Sequence, residues 1–393
     1  MSERTLQTRP QRYAALTAGV IVNLGFGSLY AWSVFIAGLE SDLGIMRADV
    51  SVVFSLAIVS FTFGNFVSPF LFRSLAPAVL VLIALTIGVG GLSVAAMGSS
   101  YLTVILGYGL MFGFACGFSY NAVLQAGLSA LPDKPGLANG IIISSFAAGS
   151  VISADLLAMS VADMGVRATF WLLAITISGG GVLAMSLLWF SKVRFLIPEA
   201  SNGRPGDRRL LYISWIGFFL GALAGVMAIG HAAAIITHFG GGARAAVIGV
   251  TLISVGNALG RLGAGWLCDQ ISVRSVAGIS HLTGILASVV VLANPTGEGA
   301  MLAMALAGVA YGMTASVYPS TISIYLGRAS YGKNFALLLT AWGAAGLLGP
   351  SMSGYFFDLT SDYRVSLEFA AVATILALIN AMRLPRSREV QST

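Results

Sequence analysis

Runs of about twenty apolar residues, separated by short polar breaks, recur along almost the whole chain and restrict its fold more than any other feature. A helix rises about 1.5 Å per residue, so each run spans the roughly 30 Å hydrocarbon layer of a bilayer. In lipid, every backbone polar group must be satisfied within the protein, and a continuous helix does this unaided. The runs fall at 13–39, 49–72, 77–97, 101–131, 139–162, 167–191, 210–238, 245–267, 275–293, 299–326, 332–357 and 364–382. With 57% hydrophobic residues, only 9% charged and 48 glycines, the chain has the composition of no soluble domain. It reads as an all-α membrane protein of twelve transmembrane helices.

An even number of crossings puts both termini on one side, and charge says which. With the N-terminus inside, 16 Lys or Arg residues border the cytosolic ends and only Arg47, Arg167, Arg244 and Arg364 face out. The positive-inside rule therefore sets both termini in the cytosol, and the expected location is the cytoplasmic (inner) membrane. The same rule accounts for the formal charge of +6 without a nucleic-acid partner. The first run follows Arg4, Arg9 and Arg12, has no small-residue cleavage site and is long enough to span, so it reads as a helix rather than a signal peptide. The longest polar break, 192–209, is rich in Pro, Gly and Arg and divides the chain into bundles at 1–191 and 210–393. Cys116 and Cys268 lack metal spacing, and no metal or cofactor is expected. The Gly64–Asn65 pair of the second run returns as Gly256–Asn257 in the eighth, a weak echo between the halves.

One residue breaks the apolar pattern. Arg261 stands eight residues inside Asp269, about 12 Å along the helix and close to the bilayer midplane. A guanidinium there costs about 2.5–3.5 kcal/mol on insertion scales and cannot escape by deprotonation. Its planar fork suits a carboxylate in a water-accessible cavity. The competing reading is a structural arginine held by carbonyls and tyrosines.

The segment GWLCDQISVR at 265–274 resembles the loop motif of the major facilitator superfamily, although the first-half counterpart FLFRSLAP at 70–77 lacks the acid. A narrower match rests on NLGFGSLYAWSVF at 23–35, LPDKPGLANGI at 131–141, NALGRLGAGWLCD at 257–269 and SYGKNFALLLTAWGAAGLLGP at 330–350. These resemble the oxalate:formate antiporter family and its relatives, the monocarboxylate transporters. The resemblance implies two pseudo-symmetric six-helix bundles around a central cavity, working by alternating access. It makes Arg261 the carboxylate-binding arginine, and Asp269 and Arg274 a latch on the cytosolic side. Two departures stand out: the lysine that dianion carriers place after a Thr-Ala pair is here Trp342, and the aspartate of the animal carriers, one turn before the arginine, is here Asn257.

Other candidates follow from depth and chemistry. His231 lies nine residues inside Gly240, about 13 Å in, and reads as a partner of Arg261 on the carboxylate and as a proton carrier. Tyr30, Tyr120, Tyr311 and Tyr355 offer hydroxyl donors on water-excluding rings, with Tyr120 and Tyr311 favoured. Asn121 and Asn257 are secondary polar candidates, and Trp32 and Trp342 supply shape. Each of these also has a plain packing role open to it. Asp155, inside the fifth run, is a second proton candidate, although a structural bond to Ser153 or a neighbouring helix is the favoured reading.

The sequence thus points to a monomeric carrier, not an enzyme, for a small monocarboxylate such as lactate, pyruvate, formate or acetate. Proton symport and anion exchange both stay open, and the alternative guest is oxalate or another dicarboxylate. One central cation favours a monoanion, since a second carboxylate would be buried unpaired.

Overall fold

The computed structural model describes residues 8–131, 135–195, 208–326 and 331–386. Most of the expected linker, residues 196–207, and part of the 131–141 and 330–350 motifs lie outside the described residues. So do Arg4, Lys134, Arg204, Arg328 and Arg388.

Among the described residues the chain is helical, with no strand. The helices are α1 (Arg9–Phe26), α2 (Ile36–Leu43), α3 (Arg47–Val67), α4 (Pro77–Met97), α5 (Tyr101–Val104), α6 (Gly113–Ala130) and α7 (Pro135–Ser191). There follow α8 (Arg208–His238), α9 (Ala243–Gln270), α10 (Val273–Ala293), α11 (Gly297–Tyr325), α12 (Tyr331–Thr360) and α13 (Arg364–Ala381). Ten segments among the described residues are long and apolar enough to cross a membrane. The longest, Ile141–Ser191, turns within α7 at Gly165, whose φ of 80° is open to glycine without strain. That turn falls in the short break expected between the fifth and sixth runs.

Local signals explain the other boundaries. Thr8 and Gln11 form a capping box at the start of α1, with Pro10 in its first turn. Ser272 caps α10 by accepting from the Ser275 N–H, so Asp269 and Arg274 flank a very short turn between α9 and α10. Gly44, at φ 63°, ends α2.

Two spans depart from regular α-helix. Between α1 and α2 the chain tightens into a 3₁₀ stretch at Gly27–Phe35, which carries Tyr30 and Trp32. Between α5 and α6 it widens into a π-helical stretch at Ile105–Phe112. Both forms are uncommon over this length and mark places where packing overrides helix regularity.

Elements up to α7 pack mainly on one another, as do α8–α13, and the two sets meet along α3 with α12, α7 with α9, and Gly27–Phe35 with α8. Within each set glycines let helix backbones touch. A Cβ on Gly64 would strike the Phe114 carbonyl, and one on Gly117 that of Phe61, between α3 and α6. On the other side Gly256, Gly260, Gly308 and Gly312 abut the carbonyls of Ala305, Val309, Ile253 and Asn257, between α9 and α11. The Gly64–Asn65 and Gly256–Asn257 echo therefore occupies matching seams, where absent side chains let backbones touch.

Candidate functional site

Arg261 projects from α9 and is partly exposed. Its Nε donates to Oδ1 of Asn257, one turn earlier, at 2.9 Å. Since Nε–H can only donate, that bond settles which way the amide lies, and it leaves the buried Asn257 Nδ2 without a partner among the described residues. The backbone is seated as well: the Arg261 carbonyl accepts from Ser316 Oγ on α11 at 3.1 Å. The guanidinium lies over the Tyr311 ring, Cζ 5.9 Å from its centroid, and the hydroxyls of Tyr30 and Tyr120 both interact with it. Among the described residues no carboxylate reaches it.

Around this cation the side chains are aromatic. Tyr30 meets Tyr311 edge-on at 6.5 Å and Phe146 at 5.3 Å. Phe61 lies 5.6 Å from both Tyr120 and Phe146 and 5.1 Å from Trp342. Trp342 Nε1 donates to Tyr311 Oη at 2.6 Å, and the Tyr311 and Tyr30 hydroxyls stand 3.4 Å apart. The result is one cation and three hydroxyls within a ring of apolar surface. A small anion with an apolar body fits such a setting: the charge is met by donors, and the aromatic faces exclude water and strengthen the interaction.

The structure brings together Arg261, Asn257, Tyr30, Tyr120, Tyr311 and Trp342 from four elements of the chain's two sets and α12. It adds Phe61 on α3 and Phe146 on α7, which sequence reasoning missed. Nothing in their sequence setting separates these from the other phenylalanines of the chain. Asn121 sits one step aside, its Nδ2 donating to the Asn65 carbonyl at 2.9 Å.

Other candidates are placed elsewhere. Trp32 is fully buried among Phe35, Phe54 and Tyr108, the last at 4.6 Å, in the core of the first set. Tyr355 is exposed, with its ring beside Phe356. The reason is rotational: depth in the bilayer follows from sequence position, but the face presented depends on packing. Asp155 is exposed, and Ser153 Oγ turns instead to the Ser150 carbonyl at 3.5 Å.

His231 shares no contact with Arg261. Its Nε2 lies 3.0 Å from the Pro350 carbonyl and 3.1 Å from Ser51 Oγ, and its Nδ1 lies 2.9 Å from Tyr363 Oη. The carbonyl requires a donor and Ser51 Oγ donates to the Arg47 carbonyl, so Nε2 carries a proton. Arg47 Nη1 donates to the same tyrosine at 3.3 Å, and Arg47 grips Glu40 through two bonds of 2.6 and 2.7 Å. His231 thus belongs to a bridge from α2 and α3 to α8, α12 and Tyr363. Pro350 is eight residues beyond Trp342 on α12, about 12 Å along the axis from the aromatic ring around Arg261.

No family profile matches the chain. The chain is 26% identical over 360 residues to an uncharacterized MFS-type transporter, YhjX, of Escherichia coli, covering 84% of this chain and 85% of that protein. It is 28% identical over 322 residues to mouse monocarboxylate transporter 11, covering 76% and 70%, respectively. It is 20% identical over 372 residues to the oxalate:formate antiporter of Oxalobacter formigenes, covering 92% and 89%. Among solved structures, a bacterial homologue of the human lysosomal transporter Spinster, inward-facing and unoccupied, superposes with a TM-score of 0.74 at 14% identity over 95% of this chain and 96% of that one.

The fold is that of multi-pass membrane transporters of the major facilitator class, and the relatives the chain resembles are transporters of that kind. Within that class, the resemblance carried by the YAWS and NALGR motifs to the oxalate:formate antiporter and monocarboxylate transporter group is found again in these relatives.

Proposed function

We propose that this protein carries small monocarboxylates of the lactate, pyruvate, formate or acetate type across the cytoplasmic membrane by alternating access between two bundles, 1–191 and 210–393, with both termini in the cytosol. Arg261 receives the carboxylate, Tyr30, Tyr120 and Tyr311 donate to it, and Phe61, Phe146 and Trp342 enclose its apolar body. The observation that carries this reading is a partly exposed guanidinium deep in a membrane-spanning helix with no carboxylate against it among the described residues. Such a charge is costly in lipid; Asn257 and the phenols solvate it without cancelling it, and a carboxylate guest supplies the counter-charge. The relatives' names, one a monocarboxylate transporter and one an oxalate:formate antiporter, agree with a carboxylate guest.

A dianion is the second reading, supported by the antiporter's name. The single cation counts against it, because the second carboxylate would lie against aromatic faces without a counter-charge. His231, bonded at both ring nitrogens, and the exposed Asp155 are the proton-carrying candidates if transport is symport. Uptake of labelled lactate into proteoliposomes, with and without a pH gradient and against a panel of mono- and dicarboxylates, tests the whole proposal. Monoanions should compete and oxalate should not. Undiminished uptake by Arg261→Gln would remove the site assignment.

A further inference from the structure

Two side chains at the site can only donate hydrogen bonds. One is Arg261; the other is Trp342, whose indole N–H has no acceptor function. Between them stand hydroxyls that can do either. Trp342 donates to Tyr311 Oη at 2.6 Å, which occupies an acceptor position on that oxygen and leaves its proton to point elsewhere. The Tyr30 and Tyr120 hydroxyls interact with the guanidinium, and an oxygen that accepts from it turns its own proton away. Among the described residues the other hydroxyl beside Tyr311 Oη is Tyr30 Oη, at 3.4 Å, the far limit of a hydrogen bond. The unpartnered Nδ2 of Asn257 adds a further donor beside the cation.

We propose that Trp342 is a specificity-determining positioning residue: by donating to Tyr311 it occupies an acceptor position on that oxygen and frees the hydroxyl proton for the guest, so that the groups around Arg261 mainly donate. This rests on the carboxylate reading of the same site. A carboxylate, which accepts at every lone pair and donates nowhere, is matched completely. A neutral guest of the same shape that must itself donate, such as a carboxamide, finds its N–H facing other donors and is rejected by the unmade bonds. Trp342 is 5% exposed and is held in place by Phe61 at 5.1 Å, so its N–H has little freedom to leave Tyr311.

The test is a binding titration on the purified full chain with lactate and with its carboxamide. Trp342→Phe should weaken lactate binding about tenfold, as for loss of a bond acting on a charged guest, and should narrow the preference for lactate over lactamide. In a Tyr311→Phe background the same substitution should change affinity less than about twofold, because its effect runs through the Tyr311 hydroxyl. Replacing Trp342 by its benzothienyl analogue, which keeps the shape and lacks the N–H, should reproduce Trp342→Phe. If that analogue binds lactate like the wild type, or if the two substitutions multiply independently, Trp342 acts by packing and the proposal is overturned. Arg261→Gln in the same titration separates the two claims: intact binding there sinks the carboxylate reading itself, whereas lost binding there with an additive Trp342–Tyr311 cycle sinks only the role of Trp342.

Discussion

Two glycines three residues apart on α9 should respond to alanine in opposite directions. At Gly260 an added Cβ falls against the Val309 carbonyl and within 3.0 Å of the Met313 backbone nitrogen. Both belong to the backbone of α11 and cannot swing aside, so the helices must part, at about 1–3 kcal/mol for overpacking of this kind. At Gly263 nothing lies within 4 Å of the added carbon. There alanine gains up to about 1 kcal/mol from its better helix propensity. The two variants should therefore differ by about 1–4 kcal/mol. Thermal unfolding in detergent, followed by tryptophan fluorescence, should place Gly260→Ala below the wild type and Gly263→Ala at or above it. The site should feel the first change as well. Gly312 packs on Asn257 and on the Arg261 backbone nitrogen, so parting α9 from α11 shifts the guanidinium from its 5.9 Å position over Tyr311. Gly260→Ala should weaken lactate binding and Gly263→Ala leave it unchanged. Equal melting of the two variants would refute the close-packing argument.

Two further expectations concern the region beyond the aromatic ring. Tyr363→Phe removes the hydroxyl shared by Arg47 and His231 and should lower stability by about 1–3 kcal/mol while leaving the lactate Kd within about twofold; a tenfold change in Kd would put His231 at the guest site after all. Burial pushes the Asp362 carboxyl up, but the Arg364 backbone N–H and His238 together outweigh it and hold the group below its ordinary value of 3.8. A depressed folded-state value stabilises above the unfolded pKa and loses that effect as pH falls through the folded one. The wild type should thus lose stability on acidification below about pH 4 by more than Asp362→Asn does, and parallel melting curves for the two proteins would contradict this.

Much of the site was legible because a charge in lipid is costly wherever it lies. Arg261 stood out from a count of residues alone, Tyr30, Tyr120 and Tyr311 followed from their depth in other spans, and Asn257 and Trp342 from the positions that the family resemblance marks. Facing was harder to read. Several helices are apolar on every side, so the pattern of residues does not say which face turns inward. Hence Trp32 and Tyr355, at suitable positions along their helices, point into the core and out to the surface, whereas Phe61 and Phe146 carried no distinguishing mark. His231 lay at the expected kind of position but on the wrong neighbours, because its partners Ser51, Pro350 and Tyr363 come from three distant parts of the chain. The break at Gly165 was visible in outline, as a polar gap, without its left-handed backbone.

The guanidinium is dressed by Asn257 and two phenols of its own protein. In a carrier built this way, the passenger is not what keeps the ion from standing bare. On the proposed carboxylate reading, the empty site keeps a partner for the charge in Asn257, so electrostatics at this arginine does not by itself enforce a strict one-for-one swap.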